Sequence, residues 1–255
     1  KAKPAFHKQM FLKPVHKSTE FCGTCHKVHL PGILNDYKEW LRGQNHYDPF
    51  LLSGVSGHGL ASFYYPPKAE QNCNECHMPR KESEDFGALL NSVTNKTEVH
   101  NHMFPSANTA MAWWNHDDKT IQAHKDFNKG VMRLDIFGIT EDARIDGTLH
   151  APIGENVPTL APGRSYLLET VIRTAKMGHL FTQGTVDSNE VWVEMTAIEN
   201  AKFAEDGKLV EGRVIGAIGG IDNKGEVDPW SHFINVFMLD RHGNRVNRRN
   251  AQDIF

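Results

Sequence analysis

The pattern of apolar and polar positions changes about halfway along this chain of 255 residues. The first half has weak periodicity and many glycine and proline breakers, among them Pro31-Gly32 and Pro105, which indicates short helices joined by loops. Thr109 or Asn115 would open short helices toward Phe127. A further helix is predicted from a cap at position 35 to a glycine stop at position 43.

From about residue 131 the pattern changes to alternating or continuous apolar runs rich in β-branched side chains, which predict strands. The runs cover residues 131–139, 166–172, 191–198, 209–218 and 232–239. Turn signals such as Asp206-Gly207 separate them at hairpin-like intervals, which favours antiparallel pairing. The predicted fold class is α+β. A helix- and loop-rich region (residues 1–129) precedes an antiparallel, immunoglobulin-like β-sandwich (residues 130–255), expected to be incomplete at its C-terminus.

Composition and charge argue against binding to nucleic acid and against a membrane span. The formal charge of −3 is small and acidic and basic residues are interspersed, so no basic stripe predicts binding to nucleic acid. The chain contains no apolar stretch of about 18 residues, so we expect no membrane span.

Two copies of a five-residue motif use every cysteine of the chain. Cys22-Gly23-Thr24-Cys25-His26 and Cys73-Asn74-Glu75-Cys76-His77 each place a histidine directly after a cysteine pair. Two thiols at this spacing can form thioethers to the two vinyl groups of one porphyrin, and the next imidazole then lies beneath the iron. The sequence therefore predicts two covalently bound haem c groups, with His26 and His77 as proximal ligands.

Two other interpretations of the cysteines are weaker. The two pairs of a four-cysteine zinc site usually lie about 15–20 residues apart, whereas residues 26–72 separate the pairs here. Disulfide or dithiol redox chemistry explains the cysteine spacing but not the histidine that follows each pair.

Candidate ligands for the opposite side of each iron come from the remaining histidines. His102 lies in an imidazole-rich segment bounded by proline, and His179 follows a glycine after the first long β runs. His58 is flanked by glycines that allow close approach to a flat ring, and His16 precedes the first motif. His7 and His46 rank lower, methionine ligation ranks well below histidine, and a typical histidine such as His124 is expected to be solvated or hydrogen-bonded.

At these residues the sequence resembles the large bacterial multihaem cytochromes c that pair a histidine-rich haem region with a C-terminal β-sandwich. The resemblance covers most of the chain, and both cysteine motifs carry it. It also rests on residues 37–40, 54–63, 72–79, 102–110, 160–163, 178–181 and 184–192.

The resemblance implies bis-histidine haems that pass electrons in an exported, periplasmic or extracellular protein, with His102 and His179 as distal ligands. Members of such families usually carry more than two haems, so we expect a fragment of a larger member. Redox proteins, and further haem-bearing chains or segments, are the expected partners.

Other functions remain open from the sequence. One is a haem enzyme with an open iron acting on a small nitrogen, sulfur or peroxide species. Its acid or anion-binding groups would be among His100, His102, Tyr47 and Arg80. Another is a docking role of the β-rich half within a respiratory assembly. Oxygen ligands clustered at residues 187–190 and 222–228 also suit calcium, although acidic turns are the simpler interpretation.

Overall fold

The computed structural model describes residues 3–29, 32–34, 42–59, 68–154, 158–181, 190–247, 250 and 253–255. The chain divides into two compact units, one formed by Lys1–Cys25 with His46–Phe181 and the other by His26–Asn45 with Thr182–Phe255. The first unit therefore includes strands beyond residue 130, and the division of function at that position stays a prediction.

The described part of the chain contains both helices and antiparallel sheets, in separate runs, which confirms the α+β class. In chain order they are α1 (Pro4–Phe11), α2 (Thr19–His26), β1 (Lys27–His29), β2 (Arg42–Asn45), α3 (Tyr47–Leu52), α4 (Asn74–His77), β3 (Arg80–Glu82), β4 (Leu89–Asn91), β5 (Lys96–His100), α5 (Ala110–Trp114), α6 (Asp118–Asn128), β6 (Met132–Glu141), β7 (Leu149–His150), β8 (Tyr166–Thr174), β9 (Met195–Phe203) and β10 (Leu209–Ile218). Short 3₁₀ helices span Pro14–Lys17 and Gly32–Leu34. Among the helices of the described ranges, none has the length and apolar character needed to cross a membrane.

All strand pairing between these elements is antiparallel. In the first unit, β5 lies between β3 and β4, and β6 lies between β7 and β8. In the second unit, β1 pairs with β2 and β9 pairs with β10. The small sheet of β3, β4 and β5 lies in the half of the chain for which the sequence predicted only helices and loops.

The predicted strands agree with the structure where the apolar runs are long. Strands β6, β8 and β10 cover three of the runs, whereas β9 begins at Met195, four residues into its run. The run at 232–239 has only isolated bridges in the described structure, at Phe233 and Leu239. Its backbone pairing is interrupted, since the Asn235 side chain accepts the Val191 N–H at 3.4 Å.

The helices around residue 115 have identifiable starts. Thr109 is the N-cap residue of α5, as predicted. Helix α6 is capped by Asp117 rather than Asn115, because the Asp117 Oδ1 accepts the Thr120 N–H at 3.0 Å. The helix predicted to start at position 35 lies mostly outside the described residues, and its expected end at Arg42 belongs to β2.

The described residues bury few large apolar side chains. The buried hydrophobic residues are Phe50, Val55, Ala112, Ile139, Val193 and Ile254. On α5, by contrast, Met111, Trp113 and Trp114 are 67%, 68% and 72% exposed. A helix normally buries such side chains, so α5 is unusual in that its large apolar residues stay exposed among the residues that the structure describes.

Candidate functional site

Both cysteine motifs lie on short helices. Helix α2 carries Cys22, Cys25 and His26, and α4 carries Cys76 and His77 with Cys73 at its N-cap. Positions three residues apart lie on the same side of a helix, so the helical turn brings the two thiols of each pair to one face. This is the arrangement that attachment of both thiols to one flat group requires.

The two motifs are docked against each other by side-chain hydrogen bonds. Thr19, which is buried, donates its Oγ1 hydrogen to the carbonyl of Gln71 at 3.0 Å. Asn74 donates from Nδ2 to the carbonyl of His16 at 3.1 Å, and its Oδ1 accepts the Cys22 thiol at 3.8 Å. These contacts hold the start of α4 beside the first turns of α2.

The leading cysteines of the two motifs affect each other's pKa. The hydrogen bond from the Cys73 thiol lowers the pKa of Cys22 to about 7. The same hydrogen bond, together with burial, raises the pKa of Cys73. Burial also raises the pKa of Cys76, with smaller contributions from the negative charges of Glu70 and Glu75.

Tyr47 and His58 lie beside α2. A Cβ atom on Gly23 would be 2.7 Å from the Tyr47 Cδ2, so the residue directly after Cys22 must be small for this ring to pack. The pKa of Glu20 is lowered by a hydrogen bond to its own backbone, by a hydrogen bond from Ser18 and, more weakly, by the charge of His58.

Strand pairing brings the segment after β5 alongside the second motif. Strand β3 follows α4 after two residues and pairs with β5, with Arg80 opposite His100. His100 donates from Nδ1 to the Met78 carbonyl at 2.7 Å, and the Asn101 N–H donates to the Pro79 carbonyl at 3.0 Å. Residues 101–105 therefore run back toward His77.

The ring of His77 is oriented by that segment. Its Nδ1 donates to the carbonyl of Pro105 at 2.9 Å, and Pro105 is buried. A hydrogen bond at Nδ1 fixes the tautomer and puts the lone pair on Nε2, the nitrogen that can ligate a metal. The Phe127 ring packs against the same imidazole with a centroid separation of 5.4 Å.

The imidazole of His179 lies parallel to that of His77. Their planes differ by 10°, and their centroids are 6.2 Å apart. A metal–imidazole bond is about 2 Å long and the nitrogen lies about 1 Å from the ring centroid, so imidazoles on opposite sides of one metal have centroids about 6 Å apart. The two rings therefore fit the spacing of axial ligands of a single iron.

His179 is positioned by close packing of the residue before it. A Cβ atom on Gly178 would be 2.8 Å from the Phe50 Cδ2 and 3.2 Å from the Val55 Cγ1, and both partners are buried. The Nδ1 of His179 donates to the Leu180 carbonyl at 3.1 Å, which again puts the lone pair on Nε2.

The other candidate ligands have different neighbours. The ring of His102 contacts Phe104 at 6.0 Å, that of His16 contacts Phe21 at 5.1 Å, and His58 lies within electrostatic range of Glu20. None of these contacts involves His77, and the distal partner of His26 stays a prediction.

His46 is a weak candidate for an iron ligand from the sequence alone. In the structure, however, its ring lies 5.2 Å from that of His179, at an angle of 84°. The two histidines are far apart in sequence and no motif surrounds His46. No local signal was therefore available to indicate the contact.

A porphyrin iron requires only two protein ligands, since the ring supplies four nitrogens. Within the described ranges, no group of three or more His, Cys, Asp or Glu side chains could hold a bare metal ion. A covalently bound haem with two histidine ligands needs an imidazole on each side and two adjacent thiols. The parallel rings of His77 and His179, with Cys73 and Cys76 beside His77 on α4, provide donors of these types.

The calcium interpretation falls on two acidic turns. Positions 187–189 lie outside the described residues. In the other turn, the Asp222 Oδ1 accepts the N–H groups of Lys224 and Glu226 at 2.8 and 2.9 Å. Asp222 thus stabilises its own turn in the manner common for aspartate.

Comparison with known proteins gives no further assignment. A scan against protein-family models and searches of curated proteins and of solved structures found no match to this chain.

Proposed function

We propose that this chain is an electron-transfer module of a c-type multihaem cytochrome, with two covalently attached haem c groups. The single observation that carries the proposal furthest is the parallel arrangement of the His77 and His179 rings. His77 directly follows a pair of thiols at haem-attachment spacing. Under the proposal these two imidazoles are the axial ligands of one iron.

Each residue type has a defined role in this assignment. Cys22 and Cys25 hold one group and Cys73 and Cys76 the other, while His26 and His77 bind from the proximal side. When bound, a haem iron supplies one-electron exchange between its ferric and ferrous states. Two strong imidazole ligands keep the iron coordination similar in both states, which suits electron transfer rather than substrate binding.

The exposed apolar surface of the first unit supports the proposal. Met111, Trp113 and Trp114 are more than half exposed on α5, and Phe104 is 51% exposed beside His102. A porphyrin is a large flat apolar group, so two of them would cover much of the surface that this chain's own side chains leave open.

The proximity of the two motifs supports a relay between two groups. Because the Cys22 thiol donates at 3.8 Å to the Oδ1 of Asn74, the residue that follows Cys73, the two attachment points lie side by side. Electrons could then pass between the two sites without an intervening carrier.

The remaining parts of the proposal rest on the resemblance to multihaem cytochromes. We propose that His102, His58 or His16 supplies the distal ligand opposite His26. We also propose that the C-terminal strands belong to an immunoglobulin-like sandwich, and that the protein is exported to the periplasm or cell exterior. Redox proteins would be its partners there.

The test is a haem count combined with electron paramagnetic resonance of the oxidised protein. The proposal predicts a mass increase of two haems and two low-spin irons. Replacing the cysteines of one motif by serine should remove one haem, with the matched replacement in the other motif as control. A haem-free product from a host competent in haem attachment would refute the proposal. A high-spin signal that changes with nitrite, hydroxylamine or peroxide would favour the alternative, an enzyme with one open iron.

A further inference from the structure

Helix α6 presents three residues toward the His77 site. His124, Phe127 and Asn128 share one face of the helix because they are spaced by three and four positions. Phe127 packs directly on the His77 ring, whereas the other two contact the backbone of Ser106. His124 is only 7% exposed, which is unusual for a histidine without an assigned role.

His124 and Asn128 bind both backbone polar groups of Ser106. The Ser106 N–H donates to the His124 Nδ1 at 2.8 Å, and the Asn128 Nδ2 donates to the Ser106 carbonyl at 2.7 Å. His124 Nδ1 also lies 2.9 Å from that carbonyl. Because Asn128 already donates to the carbonyl, the arrangement that satisfies both groups has His124 Nδ1 as an acceptor.

The Ser106 N–H and the Pro105 carbonyl belong to one planar peptide unit. The carbonyl accepts the hydrogen bond from His77 Nδ1 at 2.9 Å, and the N–H on the other side donates to His124. One rigid plane therefore links the two imidazoles. Hydrogen bonds arranged in such a chain polarise one another, so the bond at His124 strengthens the Pro105 oxygen as an acceptor.

The backbone just before this plane is strained. Phe104 has a φ of 49°, in the left-handed region that an aromatic residue rarely adopts. Such a conformation persists only where the surroundings hold it in place. The hydrogen bonds from Ser106 to His124 and from Asn128 to Ser106 can hold Phe104 in this conformation.

We propose that His124 is a positioning residue that acts on His77 through the Pro105–Ser106 peptide plane, with Asn128 anchoring the adjacent carbonyl. It sets the orientation and electron-donating strength of the His77 imidazole, and hence the reduction potential of the iron that His77 ligates. This inference rests on the proposed haem at His77.

The experiment compares His124→Leu, which removes the acceptor, with His124→Asn, whose Oδ1 can occupy nearly the position of Nδ1. Gln122→Ala is the matched control, because Gln122 bonds Asp126 at 3.0 Å on the same helix, outside the contacts with Ser106. Two quantities are measured on the haem-loaded protein: the reduction potential of each haem, and the hydrogen-exchange rate of the Ser106 amide.

Loss of the acceptor at position 124 should weaken the hydrogen bond between His77 and the Pro105 carbonyl. The His77 imidazole would then donate less electron density to the iron, and weaker donation favours the ferrous state. Loss of a hydrogen bond made directly to a metal ligand typically alters a metal site about tenfold or more, and a tenfold change in a one-electron equilibrium corresponds to about 59 mV. Because His124 polarises that hydrogen bond without making it, we expect His124→Leu to raise one potential by a measurable amount below about 59 mV and to speed exchange at Ser106. His124→Asn should restore both quantities toward the native values, and Gln122→Ala should change neither.

Two results would overturn the inference: an unchanged potential in His124→Leu despite fast exchange at Ser106, or a folded His124→Asn variant that shifts the potential as much as leucine. If His124→Leu does not fold, Asn128→Ala provides the second variant, with a smaller shift in the same direction expected and no shift refuting the inference. Failure of the proposed function is distinguishable, because the chain would then carry no haem while exchange at Ser106 still reports on the contact.

Discussion

Replacement of His179 by alanine should change the spin state of one iron and leave the other unaffected. Half of the 6.2 Å centroid separation, 3.1 Å, is the distance expected between an iron and each ring centroid. It matches a metal–nitrogen bond of about 2 Å plus about 1 Å within the ring. A methyl side chain cannot span that distance, so the iron bound to His77 would lose its sixth strong ligand.

The assay is electron paramagnetic resonance with spin counting of both irons. We expect about half of the low-spin intensity to be replaced by a high-spin or water-ligated signal, and added imidazole to restore it. The planes of the two rings differ by 10°, so on the proposed iron both would interact with the same d orbital, and the native low-spin signal should be rhombic. The matched control is His150→Ala, since His150 pairs with Glu141 at 2.9 Å in the β6–β7 sheet.

A second perturbation reaches the same ligand without removing it. Gly178→Ala places a Cβ atom 2.8 Å from the ring of Phe50, so the backbone before His179 must move. Partial conversion to high spin is expected, smaller than in His179→Ala. Retention of two unaltered low-spin irons in His179→Ala and also in its double variant with His46→Ala would refute the pairing with His77. Loss of the signal in the double variant alone would show that His46, whose ring lies 5.2 Å from that of His179, replaces the missing ligand.

Three further predictions concern the surroundings of the motifs. Gly23→Ala should destabilise the fold by about 1–3 kcal/mol, because the added methyl overlaps Tyr47, although alanine has the better helix propensity. In a double-mutant cycle measured by chemical denaturation, Tyr47→Ala should relieve this loss. In haem-free protein, the rate of Cys22 alkylation, measured by mass spectrometry, should rise with pH with a midpoint near pH 7. In Cys73→Ala the midpoint should move to the ordinary thiol pKa of about 8.5. The pKa of Asp117 is lowered by the Thr120 hydroxyl and N–H, so its stabilisation is present above about pH 4 and lost as the pH falls further. The acid loss of thermal stability should be smaller in Asp117→Ala.

Parts of the fold that depend on local sequence were predictable. The long β-branched runs correspond to β6, β8 and β10, and the cap at Thr109 corresponds to α5. The β3–β5–β4 sheet was not predicted, since its strands are three to five residues long and carry charged residues such as Arg80, Lys81 and Glu82. Strands of this kind are specified by their partners more than by their own pattern.

The candidate site shows the same division. The cysteine spacing predicts two haem-attachment motifs, because five consecutive residues carry the chemistry. Pairing of His77 with His179 depends on the packing of Gly178 against Phe50 and Val55. The sequence therefore indicates His179 as a candidate ligand but does not identify its partner. His124 gave no signal, because its role depends on a peptide plane eighteen residues earlier in the chain.

The His77 site is held from several directions by elements that are far apart in sequence. The β3–β5 pairing returns the backbone to the motif, α6 binds that backbone at Ser106, and the close packing at Gly178 presents the second imidazole. Each of these contacts involves backbone atoms or a glycine, where small displacements cannot be absorbed by side-chain rotation. If His77 ligates an iron as proposed, loss of any one of these contacts should alter the electronic properties of that ligand. Spectroscopic and potentiometric measurements are for this reason more informative about this site than thermal stability.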